Sequence, residues 1–209
     1  MEKPLLFIEV DGILMPDFAN KDFYARKRWM SLGFSERKVK GLAFRHLFPT
    51  DRIPLVRVIL ADWHGDRLRE MDCYDGVFTS DWEDGAPETI GAQLGLPHFA
   101  GIEMERYPPE GFSQFTRPIL NHARGRPFCW VTCTATDTDY QWLVRRMKRD
   151  DLFIYRIDPD GDGLDDIDLD TIYLWGLAKK MELNGEEAPY DTRFGRYSRD
   201  LGGGLWWED

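Results

Sequence analysis

The chain has 209 residues, 43% of them apolar, and a net charge of −10. That length fits one domain with a sizeable buried core, and no uncharged run approaches the ~18 residues that span a bilayer, which excludes a membrane-crossing helix. An acidic surface repels phosphate backbones, so non-specific nucleic-acid binding is excluded for most of the chain. Residues 1–70 hold 13 Lys/Arg against 10 Asp/Glu, while residues 71–209 hold 14 against 27. The basic stretch 24–46 is the one exception, and it reads as a solvated helix face. The start "MEKPLLFIEVDG" meets acidic residues too early for a secretory signal, which points to a cytoplasmic protein. Cys73, Cys129 and Cys133 lack CxxC spacing and read as reduced, buried thiols.

In chain order, five short apolar runs predict strands: Leu5–Val10, Leu55–Leu60, Gly76–Thr79, Phe128–Thr132 and Phe153–Ile157. Their near-continuous hydrophobicity suits strands covered on both faces, as in a parallel sheet. Helical patterns fall at 86–96, 117–125, 137–151 and 166–181, with Gly95 and Gly125 as stop signals. Alternating strands and helices predict an α/β, doubly wound layout. Residues 17–54 are expected to form a small helical insertion. The segment 182–209 is rich in glycine and charge yet carries Tyr190, Phe194, Tyr197, Trp206 and Trp207. A disordered tail has few aromatics, so it is expected to pack on the domain, on a protein partner or in a homodimer.

In a parallel sheet ligands sit beyond the carboxyl ends of the strands. Those ends carry Glu9 and Asp11, then Ser80, Asp81 and Trp82, then Thr132 and Cys133. Glu9 and Asp11, two apart, point to one face if the strand persists. Their mutual repulsion would then raise one pKa and set an acid beside a base. Such a pair suits isomerisation, dehydration or cyclisation of a small molecule. The other reading is that both acids cap loops in a non-catalytic binding protein. Arg117 or Arg126 is the expected balancing cation, because a pocket with two buried acids is costly otherwise. Trp130, Trp142 and Trp175 read as core, and Trp29, Trp63 and Trp82 as lining for an apolar ligand.

The stretches "FIEVDGILMP", "YDGVFTSDWEDGA…LGLP", "GRPFCWVTCTATDTDYQWL" and "DPDGDGLDDIDLDTIYLWG" together resemble, in order, the short bacterial members of the haloacid dehalogenase-like superfamily. The resemblance covers about residues 4–178. It implies a Rossmann-like parallel sheet with helices on both faces and no large cap domain, within residues 1–181. It also implies the places of the family's phosphatase residues. Glu9 stands where the family has its nucleophilic Asp, Asp11 keeps the acid–base position and Ser80 the phosphate-binding hydroxyl. Thr132–Cys133 replaces a metal-holding Asp pair, and no lysine lies between Lys40 and Lys148. The extra methylene of Glu9 misplaces a carboxylate by roughly an ångström, which can cost ~10²-fold. Hydroxyl and thiol do not replace the oxygen shell of Mg²⁺, and the missing lysine removes charge stabilisation. No cofactor is expected, and Mg²⁺ only if phosphohydrolase chemistry survives.

"DPDGDGLDD" also matches part of a calcium loop, with Asp158, Asp160 and Asp162 as ligands. The twelfth position is Leu169 rather than an acid, and the family resemblance explains the same run as a turn. The four histidines form no ligand spacing.

Overall fold

The computed structural model describes residues 1–15, 23–41, 52–158, 163–188 and 196–198. Six strands form one parallel sheet: β1 (Leu5–Glu9), β4 (Asp75–Thr79), β5 (Ala100–Ile102), β6 (Phe128–Thr132), β7 (Leu152–Arg156) and β8 (Arg196–Ser198). Their order is β5-β4-β1-β6-β7-β8, so β1 is central, paired with β4 on one side and β6 on the other. Every residue of β1 and β6 is buried, which is why these runs read as unbroken hydrophobic segments.

Strand alternation splits the core into two layers. Leu6, Ile8, Phe78, Val131 and Phe153 face helices α2 (Asp62–Glu70), α3 (Ala92–Leu94) and α6 (Asp166–Leu183), which contribute Leu68, Leu94 and Trp175. Leu5, Phe7, Val77, Trp130 and Ile154 face α4 (Thr116–Ala123) and α5 (Asp137–Val144), through Ile119 and Leu143. The architecture is therefore an α/β, Rossmann-like sheet with helices on both faces. None of the described helices is long and apolar enough to cross a membrane.

Two expectations need correction. The run Leu55–Leu60 forms strand β3 (Leu55–Ala61), but outside the main sheet: it pairs antiparallel with β2 (Phe34–Lys40) in a separate two-stranded sheet. The insertion is consequently not just helical. Helix α1 (Phe23–Ser31) ends at Gly33, whose φ of +87° admits the turn into β2. The sequence of β2, FSERKVK, buries Phe34 and Val39 and leaves Glu36, Lys38 and Lys40 exposed. That charge concealed a strand within the stretch read as a helix face. Trp29 and Trp63 pack with Phe34 and Ala61 beneath this hairpin, so they stabilise the insertion rather than line a ligand pocket.

Of the C-terminal extension, Arg196–Ser198 lies alongside β7 as the short strand β8. Tyr190, Phe194, Trp206 and Trp207 lie outside the described residues.

Candidate functional site

The crevice lies where the chain leaves β1 and β6 in opposite directions. After β1 the polypeptide reaches α2 on one face, and after β6 it reaches α5 on the other. Diverging connections open the sheet's carboxyl edge between neighbouring strands, where ligands of such folds bind. Glu9 is the last residue of β1 and Thr132 the last of β6.

Glu9 is buried, at 2% exposure, and four donors converge on it. Oε1 accepts hydrogen bonds from the hydroxyls of Thr132 at 2.5 Å and Thr134 at 2.6 Å. Oε2 accepts from the Cys133 backbone N–H at 2.8 Å and lies 3.2 Å from the Cys133 thiol. The turn after β6 is wound to make this possible, since Thr132 Oγ1 also accepts from the N–H groups of Thr134 and Ala135. Burial nevertheless pushes the Glu9 carboxyl above its ordinary value of 4.5, against those hydrogen bonds. Desolvation of the charged form wins over four stabilising contacts.

Asp11 leaves the strand. Val10 begins a tight turn in which Gly12 (φ +81°) donates to the Met15 carbonyl, and Asp11 swings toward β4 instead of β6. Its Oδ2 accepts from Ser80 Oγ at 2.8 Å, and the Trp82 side chain and Asp81 backbone also donate to the carboxylate. Ser80 Oγ in turn accepts from the Trp82 N–H, fixing the turn after β4. Asp11 is half-buried. Its pKa is raised first by burial and then by the nearby charge of Asp81. Burial, rather than repulsion between the two acids, is therefore the leading cause of both raised values.

Cys133 joins the two halves. Its sulfur lies 3.2 Å from Glu9 Oε2 and 3.5 Å from the Asp11 carbonyl oxygen. Burial, followed by the charge of Glu9, holds the thiol far above its ordinary value, so it is a neutral donor. The structure thus brings Glu9, Asp11, Ser80, Trp82 and Thr132 to one edge, with Asp81 exposed beside them and bound by Gln114 at 2.8 Å.

The predicted cations are elsewhere. Arg126 bonds the Lys3 carbonyl and Asp75 at 2.5 Å each, residues that precede β1 and open β4, so it sits at the amino edge of the sheet. Its position just before β6 dictates this, because a residue entering a strand lies at the opposite end from one leaving it. Arg117 is committed to Glu105 at 3.0 Å on the surface of α4. Asp158 is half-buried, and Asp160 and Asp162 lie outside the described residues. Asp166 pairs with Arg67 at 3.3 Å, while Asp165 and Asp168 form the capping box that starts α6. That is a helix-capping use of the acid-rich run. Among the described residues no cluster of three metal-ligating side chains occurs.

Sequence reading missed two parts of the site. One is a polar relay on the α4–α5 face. Thr134 Oγ1 lies 2.9 Å from Ser113 Oγ, and the buried carboxylate of Asp139 accepts from the Ser113 and Thr136 N–H groups and from the Thr116 hydroxyl. Asp139 ties the loop before α4 to the start of α5. Its signal was the Thr-x-x-Asp spacing of Thr136 and Asp139, a capping box. The other is Thr79, paired in register with Glu9. Val77 and Phe7 share a face, so Thr79 and Glu9 do too, and the Thr79 hydroxyl is buried without a hydrogen-bond partner among the described residues.

The chain matches no protein-family model, no curated protein and no solved structure.

Proposed function

We propose that this is a haloacid dehalogenase-like protein whose carboxyl-edge crevice has exchanged phosphoryl transfer for acid–base chemistry on a small organic molecule. In this reading Asp11 exchanges protons with the substrate and Glu9 holds the crevice in shape. One observation carries the division. Both acids have raised pKa values, yet Glu9 is sealed under four donors while Asp11 keeps part of its surface open and is held chiefly from one side. A general acid–base must reach its proton, and Asp11 is the acid that can.

Phospho-aspartyl chemistry fits this donor set poorly. Both Glu9 oxygens are engaged, so neither is free to attack phosphorus or to bind a cation. Thr132 and Cys133 donate to Glu9 rather than offering carboxylate oxygens to Mg²⁺. No described Lys or Arg forms an ion pair with Glu9 or Asp11 to steady a transferring phosphoryl group. With an aryl phosphate and Mg²⁺, turnover is expected to be no faster than that of Glu9→Ala. Robust Glu9-dependent phosphate release overturns the proposal.

The deciding experiment is a turnover screen of small hydroxy- and keto-acids and sugars by NMR, comparing wild type with Asp11→Asn. The expected result is conversion that Asp11→Asn abolishes while the melting temperature stays level or rises, because the substitution removes a buried charge beside Asp81. A second reading, a non-catalytic binding protein, is favoured by the saturation of Glu9, which commits one acid to structure. It predicts ligands that bind and are never converted, with Asp11→Asn changing affinity alone.

A further inference from the structure

A second concave site lies at the amino edge of the sheet, opposite Glu9. A cleft of about 430 Å³ opens where the chain enters β1, β4 and β5, between the ends of α2 and α4. That volume falls within the roughly 300–1,000 Å³ of small-molecule sites. Apolar groups of Leu68, Met71 and Phe99 line part of it, and cationic groups stand around it: Lys3, Arg69, His98, His122 and Arg126.

Part of this charge has an ordinary explanation. The carboxyl termini of α2 and α4 point to this edge, and their unpaired carbonyls attract cations. Arg69 bonds the Leu94 carbonyl and Asp66. Arg126 is held by the Lys3 carbonyl and Asp75. The acids at the rim are also engaged, Asp75 by Arg126 and Asp72 by Lys180 at 3.7 Å. What remains is the Lys3 ammonium and two imidazoles, for which the described residues supply no hydrogen bond or ion pair. His122 and His98 meet aromatic edges instead, those of Phe7 and Phe99. His122 is held below its ordinary value by burial and by the charges of Arg124 and Arg126. A locally positive, donor-rich cleft therefore exists in a chain of net charge −10.

We propose that this cleft binds a small amphiphilic anion. A carboxylate or phosphate-monoester head would take the donors of Lys3, His122 and Arg126, and an apolar body would lie over Leu68, Met71 and Phe99. The site is separate from the Glu9 crevice, across the full length of the sheet, and stands whether or not that crevice is catalytic.

The experiment follows the imidazole carbon–proton signals of His98 and His122, assigned with His→Gln variants, during titration with phenyl phosphate at constant ionic strength. Phenol is the uncharged control. The charged and titratable groups lining the cleft are Lys3, Arg69, Asp72, Tyr74, Asp75, His98, His122 and Arg126, with Arg124 also acting on His122, and the net effect of an anion among them is to raise the His122 midpoint. Expected are saturable shifts of both histidines, an upward move of the His122 midpoint, and two- to fivefold weaker binding in Lys3→Gln, roughly the value of one exposed charge pair. Glu9→Gln is expected to bind as wild type does. Shifts that do not saturate, that phenol reproduces, or that Lys3→Gln leaves unchanged overturn the proposal.

Discussion

Glu9 and Asp11 are two residues apart in sequence and have opposite surroundings. Glu9 ends β1 and is gathered into the turn after β6, while Asp11 follows a glycine-assisted turn toward β4 and stays partly exposed. Identical chemistry, a carboxyl group raised by burial, thereby acquires two uses. The fully satisfied group fixes the geometry of two strands, and the partly satisfied one is left able to exchange protons. Their division is set by the strand ending at Glu9 rather than continuing to Asp11.

Truncation tests that contrast most strongly. Glu9→Ala leaves buried donors of Thr132 and Cys133 without an acceptor, at about 1–3 kcal/mol for each group stranded. We expect a loss of about 3–5 kcal/mol in urea unfolding, in the range reserved for disrupted buried networks. Asp11→Ala releases the Ser80 hydroxyl and the Trp82 and Asp81 N–H donors beside a carboxylate that is itself partly exposed, and is expected to cost less, about 1–2 kcal/mol. Equal losses would break the comparison, because Asp11 would then be as structural as Glu9.

Thr132→Val tests the same network from the partner's side. Its hydroxyl donates to Glu9 and accepts from two backbone N–H groups. The isosteric change strands the two N–H groups and removes one of Glu9's four donors, and a loss of about 2 kcal/mol is expected. The same loss measured in a Glu9→Ala background should shrink, since contacting residues are not additive.

How much of this was legible beforehand differs by region. The strands ending at Glu9, Thr79 and Thr132 could be read because burial on both faces leaves runs of apolar residues, and the edge they share follows from parallel pairing. β2 was illegible, since its solvated face supplies Lys and Glu at the alternate positions that identify it only once Phe34 and Val39 are known to be buried. β5 and β8 are three residues long and carry no periodicity. At the site, residue identities were legible and directions were not. Sequence placed Glu9 beside Asp11, but the Val10–Met15 turn gives their carboxylates different donors. The charge of Arg126 is visible in sequence, but its place before β6 rather than after it puts it at the opposite edge, beside Lys3 and Asp75.

Acid–base linkage gives a milder effect. A carboxyl whose folded pKa lies above its unfolded value keeps its proton longer in the native state, so the native state binds more protons across that interval. Stability therefore falls as pH rises from the unfolded value of about 4.5 for Glu9, through the folded value, and levels off above it. Asp11 adds a decline that begins near its own unfolded value of 3.8. Thermal unfolding between pH 4 and 8 should show this decline, and Glu9→Gln should flatten it more than Asp11→Asn does. A larger flattening by Asp11→Asn would make Asp11 the more strongly desolvated acid and reverse the assignment of roles.

The smallest expected change is at Thr79, on the other side of Glu9 from Thr132. Thr132 and Thr79 flank Glu9 in the same row of the sheet, and both are fully buried. The Thr132 hydroxyl donates to Glu9 and accepts from two N–H groups, while the Thr79 hydroxyl has no partner among the described residues. An unpaired buried hydroxyl costs free energy that a methyl group of the same shape does not. Thr79→Val should therefore leave stability unchanged or raise it by up to about 1 kcal/mol, where Thr132→Val lowers it. The opposite outcome would be informative in its own way. A Thr79→Val variant that is less stable than wild type has lost a real partner, and the nearest place for one is the space beside Glu9, inside the crevice. A water bound there would then bridge Thr79 to the carboxyl of Glu9. Glu9 would no longer be sealed, and the proton-exchanging role would have to be shared between both acids.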